Sequence, residues 1–244
     1  MARVRQDRAV STRETILRAA AQVFDECGYS GAGINSILER AGTTAGALYF
    51  HFKSKEGLAR AVVLEQAADL AFPEGEAGLQ QLLDSTMYLA AELQSNVLLR
   101  AGVKLAVEQG ESGLREFAVY EYWVDQFAAE LRTAREMGQL LPEVDEGQFA
   151  RVLVASFTGT QVMSKISTGH ADLPEQIALM WRYLLRAIAT PQALGELVIV
   201  REGAGGAKEA EGTKEAEGTK EAGGAKEADR TAAADEAAES AESA

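Results

Sequence analysis

The chain has 244 residues, a net charge of −13 and a single cysteine, Cys27. One cysteine allows no intrachain disulfide, no apolar run nears the roughly 18 residues that span a bilayer, and the charged N-terminus MARVRQDRAVST lacks the apolar stretch of a signal peptide, so a soluble, cytoplasmic protein without membrane contact is expected. The charge is uneven: residues 1–60 hold 9 Lys/Arg against 6 Asp/Glu, residues 61–200 hold 9 against 19, and residues 201–244 hold 6 against 12, so nucleic acid would be repelled everywhere except at the head.

The elements read as helix almost throughout. Ile16, Leu17, Ala20, Val23 and Phe24 form one buried helical stripe over residues 12–27, with Ser11 or Thr12 as its cap and Gly28 at its end. A short helix follows from about Asn35 to Arg40, with Ile34, Ile37 and Leu38 turned inward. Gly42 makes a tight turn into a third helix, Ala45 to His51, and a fourth runs from Lys55 to about Leu70. Beyond Pro73 the apolar segments lengthen: Leu79 to Leu93, Val97 to Gln109, Phe117 to Met137, Glu146 to Ser167 and Pro174 to Ala189. Pro191 is expected to end that last helix, leaving a short appendix from Leu194 to Val200. After Val200 the composition shifts to near-repeats of KEAEGT without a large apolar residue, so 201–244 reads as a disordered acidic tail or, less simply, a partner-binding arm.

Three short helices with a glycine turn between the second and third form a helix-turn-helix pattern. A recognition helix must enter a groove about 12 Å wide, and Ala45, Gly46 and Ala47 allow close approach. Thr43 or Thr44 caps that helix, leaving its first amides free to face a phosphate. Tyr49, His51, Lys53 and Lys55 supply hydroxyl, imidazole and ammonium donors for a DNA backbone, and Asn35 opens the helix before it. His51 is otherwise a plain surface residue. Leu48, Phe50 and Phe52 are expected to hold the helix to the head rather than touch DNA. Arg3 and Arg5 form either an arm entering the minor groove or a solvated end.

The stretch Thr12–Gly57 resembles the DNA-binding domain of the TetR family, through Thr15-Ile16-Leu17, Ala19-Ala20, Phe24, Gly28-Tyr29, Ile37, Ala41-Gly42, and above all Gly46-Ala47-Leu48-Tyr49-Phe50-His51-Phe52 with Lys55-Glu56. The resemblance implies an all-α fold: an N-terminal helix-turn-helix DNA-binding domain (1–55), a helical ligand-binding and dimerisation domain (56–200) and the tail (201–244). It further implies a homodimer on a near-palindromic double-stranded operator. Two departures bear on operator sequence and affinity. Ala45 stands where many relatives carry a lysine, and Gly33 stands where they carry a threonine cap.

Further along, Leu64-Glu65-Gln66, Leu99-Arg100-Ala101-Gly102-Val103-Lys104-Leu105, Tyr122-Trp123-Val124 and Ser156-Phe157-Thr158-Gly159-Thr160-Gln161-Val162 are similar to the γ-butyrolactone receptor subgroup, extending the resemblance over residues 3–190. By that resemblance Trp123 lies over a lactone ligand, and the ligand shifts the helix that links body to head. Gln66, Thr158, Thr160 and Gln161 are polar groups within apolar helices, as donors facing a cavity would be, although any of them can instead face solvent or bond to backbone. Dimerisation is expected on the last two long helices, through Phe149, Val152, Leu153 and Phe157 on one and Ile177, Met180, Trp181, Leu184 and Leu185 on the other. With two histidines, His51 and His170, no cluster of metal-ligating side chains and no hydrolase, P-loop or dinucleotide motif, neither catalysis nor a cofactor is expected. The expected function is a ligand-responsive repressor, released from DNA by a γ-butyrolactone or butenolide and controlling antibiotic or other secondary-metabolite genes. The rival readings are an efflux-pump repressor answering to drugs and a pseudo-receptor answering to an antibiotic.

Overall fold

The computed structural model describes residues 2–108 and 118–199, with side chains from Val10 onward. The expectation of a disordered tail therefore lies outside the described residues. The apolar stripe of the first segment builds α1 (Ala2–Gly31), and Ile16, Ala20 and Phe24 on it are fully buried. The helix begins well before the expected cap, because residues 2–11 continue its turns and the Thr15 hydroxyl bonds back to the Ser11 carbonyl at 2.8 Å. Its regular geometry fails at Gly28, where φ is +69°.

Next come α2 (Ile34–Ala41) and α3 (Ala45–Phe52). Between them Gly42 adopts a left-handed φ of 60°, returning its amide to the Glu39 carbonyl. Thr44, rather than Thr43, caps α3 by accepting the Ala47 amide at 3.3 Å. Gly33 precedes α2 without a side-chain cap. The fourth helix, α4 (Lys55–Glu65), is capped by Ser54 and ends about one turn short of the expected Leu70.

The body consists of α5 (Leu79–Ser95), α6 (Val97–Val107), α7 (Ala118–Glu136), α8 (Glu146–Thr168), α9 (Leu173–Ile188) and α10 (Pro191–Glu196). α9 ends at Ile188, three residues before Pro191. Pro191 sits in the first turn of α10, where its missing N–H has no partner to lose, and Thr190 caps that helix.

Two hydrophobic clusters organise these helices. The head cluster joins Ile16, Phe24, Ile37, Leu48, Phe52, Leu58 and Val62 to Leu98, Ala101 and Leu105 of α6. The body cluster joins α5, α7, α8 and α9 around Leu83, Leu131, Leu153, Ile177 and Trp181, and takes Leu99 from α6. The core of the head thus runs past residue 55 through α4 and borrows one face of α6.

Several residues expected at a subunit interface belong instead to this core. Trp181 is fully buried and donates its indole N–H to Thr86 Oγ1 at 2.8 Å, while Leu153, Ile177 and Leu185 are buried around it. The apolar side chains that α8 and α9 leave outside are Val152, Met163, Ile166, Leu179 and Tyr183, with Ile166 82%, Met163 73% and Tyr183 71% exposed. Both faces of these helices are apolar, so the sequence could not say which face the subunit keeps.

Candidate functional site

The exposed side of the head is formed by α3 and its flanks. Thr44, Ala45, Gly46 and Tyr49 are exposed, Thr43 and His51 half-buried, and Asn35 is exposed on α2 beside them. Leu48 and Phe52 face inward and are buried. Phe50, expected inside with them, is 70% exposed and does not anchor the helix. The helical step explains the difference, since Leu48 and Phe52 are one turn apart and Phe50 lies between them on the opposite face.

Lys53 follows α3 with a φ of +67°, donates to the Phe50 carbonyl at 2.9 Å and holds its ammonium 5.7 Å from the Phe50 ring centroid. Lys55 Nζ lies 4.5 Å from the Tyr29 ring centroid, so part of its reach is taken by that ring. Arg3 and Arg5 lie in the opening turns of α1, and their side chains are outside the described residues.

Behind the head lies an apolar cavity of about 60 Å³. Leu93 of α5, Leu99 and Val103 of α6, Trp123 and Phe127 of α7, and Phe157 of α8 form its walls. Four of the five polar or aromatic candidates meet there: Gln66, Trp123, Thr158 and Gln161. Thr160 does not. It faces a separate surface groove with Met163, Leu179 and Tyr183, because one helical step of about 100° carries it away from the wall that Thr158 and Gln161 share. Leu93, Tyr120 and Phe127 were not singled out in the sequence. Their only signal was apolar periodicity, which a core residue and a pocket wall share.

Trp123 sits within an aromatic group, with ring centroids 5.9 Å from Phe127 and 6.2 Å from Phe72. Gln66, just beyond α4, is buried and donates to the Val63 carbonyl at 3.0 Å, yet its Oε1 has no partner among the described residues. A buried acceptor left bare is unfavourable by about 1–3 kcal/mol, so this atom is set for a donor from outside the fold. Gln161 Oε1 accepts from His170 Nε2 at 3.2 Å in the tautomer that carries its proton there.

α6 connects the cavity to the head. Leu99, Val103 and Ala106 line the cavity, while the opposite face holds the end of α1. Arg100 pairs with Asp25 at 2.8 Å, Lys104 donates to the Asp25 carbonyl at 2.9 Å, and Glu108 accepts the Tyr29 amide at 3.2 Å. At the other end of the head, Arg13 of α1 pairs with Glu65 at the close of α4.

Residues 16–62 match the family described as bacterial regulatory proteins, tetR family, and residues 76–190 match the tetracyclin repressor-like C-terminal domain. The chain is 41% identical over 193 residues to the A-factor receptor protein of Streptomyces griseus, covering 79% of this chain and 69% of that one. It superposes on the crystal structure of TylP, a tetR regulator from Streptomyces fradiae, with a TM-score of 0.72 and 44% identity over 79% of this chain and 93% of that one. A gamma-butyrolactone receptor described as ArpA-like is also similar, at 32% identity and a TM-score of 0.60, over 76% of this chain and 92% of the other.

Proposed function

The chain belongs to the TetR family of bacterial regulatory proteins, DNA-binding transcription regulators rather than enzymes, and from that premise we propose a cytoplasmic homodimeric repressor that a γ-butyrolactone or butenolide releases from a near-palindromic operator, controlling antibiotic or other secondary-metabolite genes. The observation that carries this reading is the double use of α6, which walls the apolar cavity with Leu99 and Val103 and completes the head core with Leu98, Ala101 and Leu105.

The effector class follows from the lining. An alkyl chain fits the Leu93, Val103 and Phe157 walls, and a lactone ring stacks on Trp123. A ligand hydroxyl donates to the bare Gln66 Oε1, and the Thr158 hydroxyl or the Gln161 amide meets a ligand carbonyl. Two similar proteins point the same way by description, one an A-factor receptor and one a gamma-butyrolactone receptor.

The cavity of about 60 Å³ is well below the roughly 150 Å³ that holds benzene in an engineered protein core. A disubstituted lactone therefore cannot enter the cavity at its present size. Its entry widens the space between the helices that wall the cavity, and α6, one of them, carries the end of α1 with it through Arg100, Lys104 and Glu108. A ligand that fits only the widened form shifts the population away from the DNA-binding form by its difference in affinity for the two.

At the operator, the α3 amides beyond Thr44, the Tyr49 hydroxyl, His51, Lys53 and Lys55 hold phosphates, while Ala45 and Gly46 let the helix approach and Asn35 contacts the backbone alongside. Arg3 and Arg5 add charge to the same face. Titration of the operator complex with synthetic γ-butyrolactones and butenolides tests the effector class. Release by them is expected; release by antibiotics or efflux substrates alone overturns it.

A further inference from the structure

A second cavity, of about 180 Å³, lies between the end of α1, α6 and α8, and touches the apolar cavity only through Gln161. Its wall, with Val107, Val162 and Ile166, is mostly apolar like that of the first, but charged groups stand in it as well. Arg100, Lys104 and Lys165 line it with Asp25 and Glu108, three cations against two carboxylates among the described residues. Both carboxylates are engaged, Asp25 by Arg100 at 2.8 Å and Glu108 by the Tyr29 amide at 3.2 Å. Lys165 makes no ion pair among the described residues. His170 also lines the cavity; it is 3% exposed, and its Nδ1 has no hydrogen-bond partner among the described residues.

We propose that this cavity is a second ligand site, for a small hydroxylated carboxylate, and that its occupant loosens the head by competing with Asp25 for Arg100. The charge inventory calls for one anion, and Lys165 and Arg100 are the groups to meet it. The hydroxyl is called for by His170. When its Nε2 donates to Gln161 Oε1, Nδ1 is left as a bare acceptor. Burial and the nearby charges of Lys165 and Arg100 keep that ring neutral, so the lone pair is available at neutral pH. The space is about that of a cavity holding one six-membered ring, which suits a ligand of a few carbons.

The consequence lies at Arg100. Its pair with Asp25 is one of the ties between α6 and the end of α1, and both side chains are largely buried, at 17% and 14% exposure. A carboxylate bridging Arg100 and Lys165 withdraws that cation from Asp25. The site stands apart from the lactone reading, because substitution of Trp123 alters only the first cavity.

The test uses the full-length protein with 4-hydroxybutyrate as probe, followed by calorimetric titration and by release of a fluorescent operator. Saturable binding and weakened operator affinity are expected, with butyrate binding about tenfold less well and chloride at equal ionic strength without effect. The exposed substitution Lys165→Met and the substitution His170→Asn should each weaken the probe about tenfold or more, whereas Trp123→Ala should leave it unchanged. No binding at millimolar probe, binding that survives both substitutions, or binding without any effect on the operator overturns the proposal.

Discussion

A Cβ added at Gly102 would stand 2.9 Å from Oε1 of Gln66 and closer still to its Cβ. The glycine in α6 is therefore a condition for the position of Gln66, whose bare acceptor faces the cavity. Gly102→Ala gains up to about 1 kcal/mol of helix propensity but overpacks a buried contact, a loss of typically 1–3 kcal/mol. Net destabilisation in urea is expected, together with weaker effector response. Phe50 and Phe52 give a second contrast at this scale. Phe50→Ala should change stability by less than about 0.5 kcal/mol, whereas Phe52→Ala, which empties a site only 5% exposed, should lose about 3–5 kcal/mol. Equal losses in thermal or chemical unfolding would contradict the placement of Phe50 outside. The pattern of residues 45–52 marked the helix but not its rotation, since Leu48, Phe50 and Phe52 are all apolar. The Gln66–Gly102 contact was equally illegible, because it joins two positions with no periodic relation.

Among elements, α6 serves both clusters, one with each face, and the start of α7 joins it through Val119. Its sequence, Leu98 to Ala106, reads as a plain buried helix, and periodicity alone assigns no owner to each face. The helix-turn-helix was far more legible, because its turn glycine, caps and short lengths are local signals. The dimer helices were legible as helices only. With Trp181, Ile177 and Leu153 turned into the subunit core, the apolar side chains these helices leave for an interface between copies are Val152, Met163, Ile166, Leu179 and Tyr183. Met163→Glu, on a side chain 73% exposed, should leave the fold intact and convert dimer to monomer in sedimentation at micromolar concentration. A dimer unaffected by that substitution would move the interface elsewhere.

At the scale of the whole molecule, the acidic body and basic head predicted from charge sit on a fold whose two apolar clusters meet at α6. The pH response of the molecule should report its buried histidine. Burial lowers the His170 pKa, and the charges of Lys165 and Arg100 add to that, while hydrogen bonding at the Gln161 and Leu93 backbone opposes it. Below the ordinary histidine value of 6.5 the unfolded chain takes up a proton that the folded chain resists. Stability should therefore decline as pH falls from neutrality through that value towards the lowered one. His170→Asn, which tolerates the left-handed φ of 77°, should flatten this part of the profile. Loss from Asp172 and Glu146, whose pKa values are lowered by hydrogen bonds from Ser164 and Arg135, belongs to a more acidic window. An unchanged slope in the variant would assign the decline to other groups.

The central claim is that filling the apolar cavity moves the head through α6. Operator release by a γ-butyrolactone, compared between the wild-type protein and Trp123→Ala by fluorescence anisotropy, tests it most directly. The account predicts that both proteins bind the operator alike and that only the wild type is released at saturating ligand. Retention of DNA by the wild type at saturation, or a parallel loss of binding and release in Trp123→Ala, would contradict it.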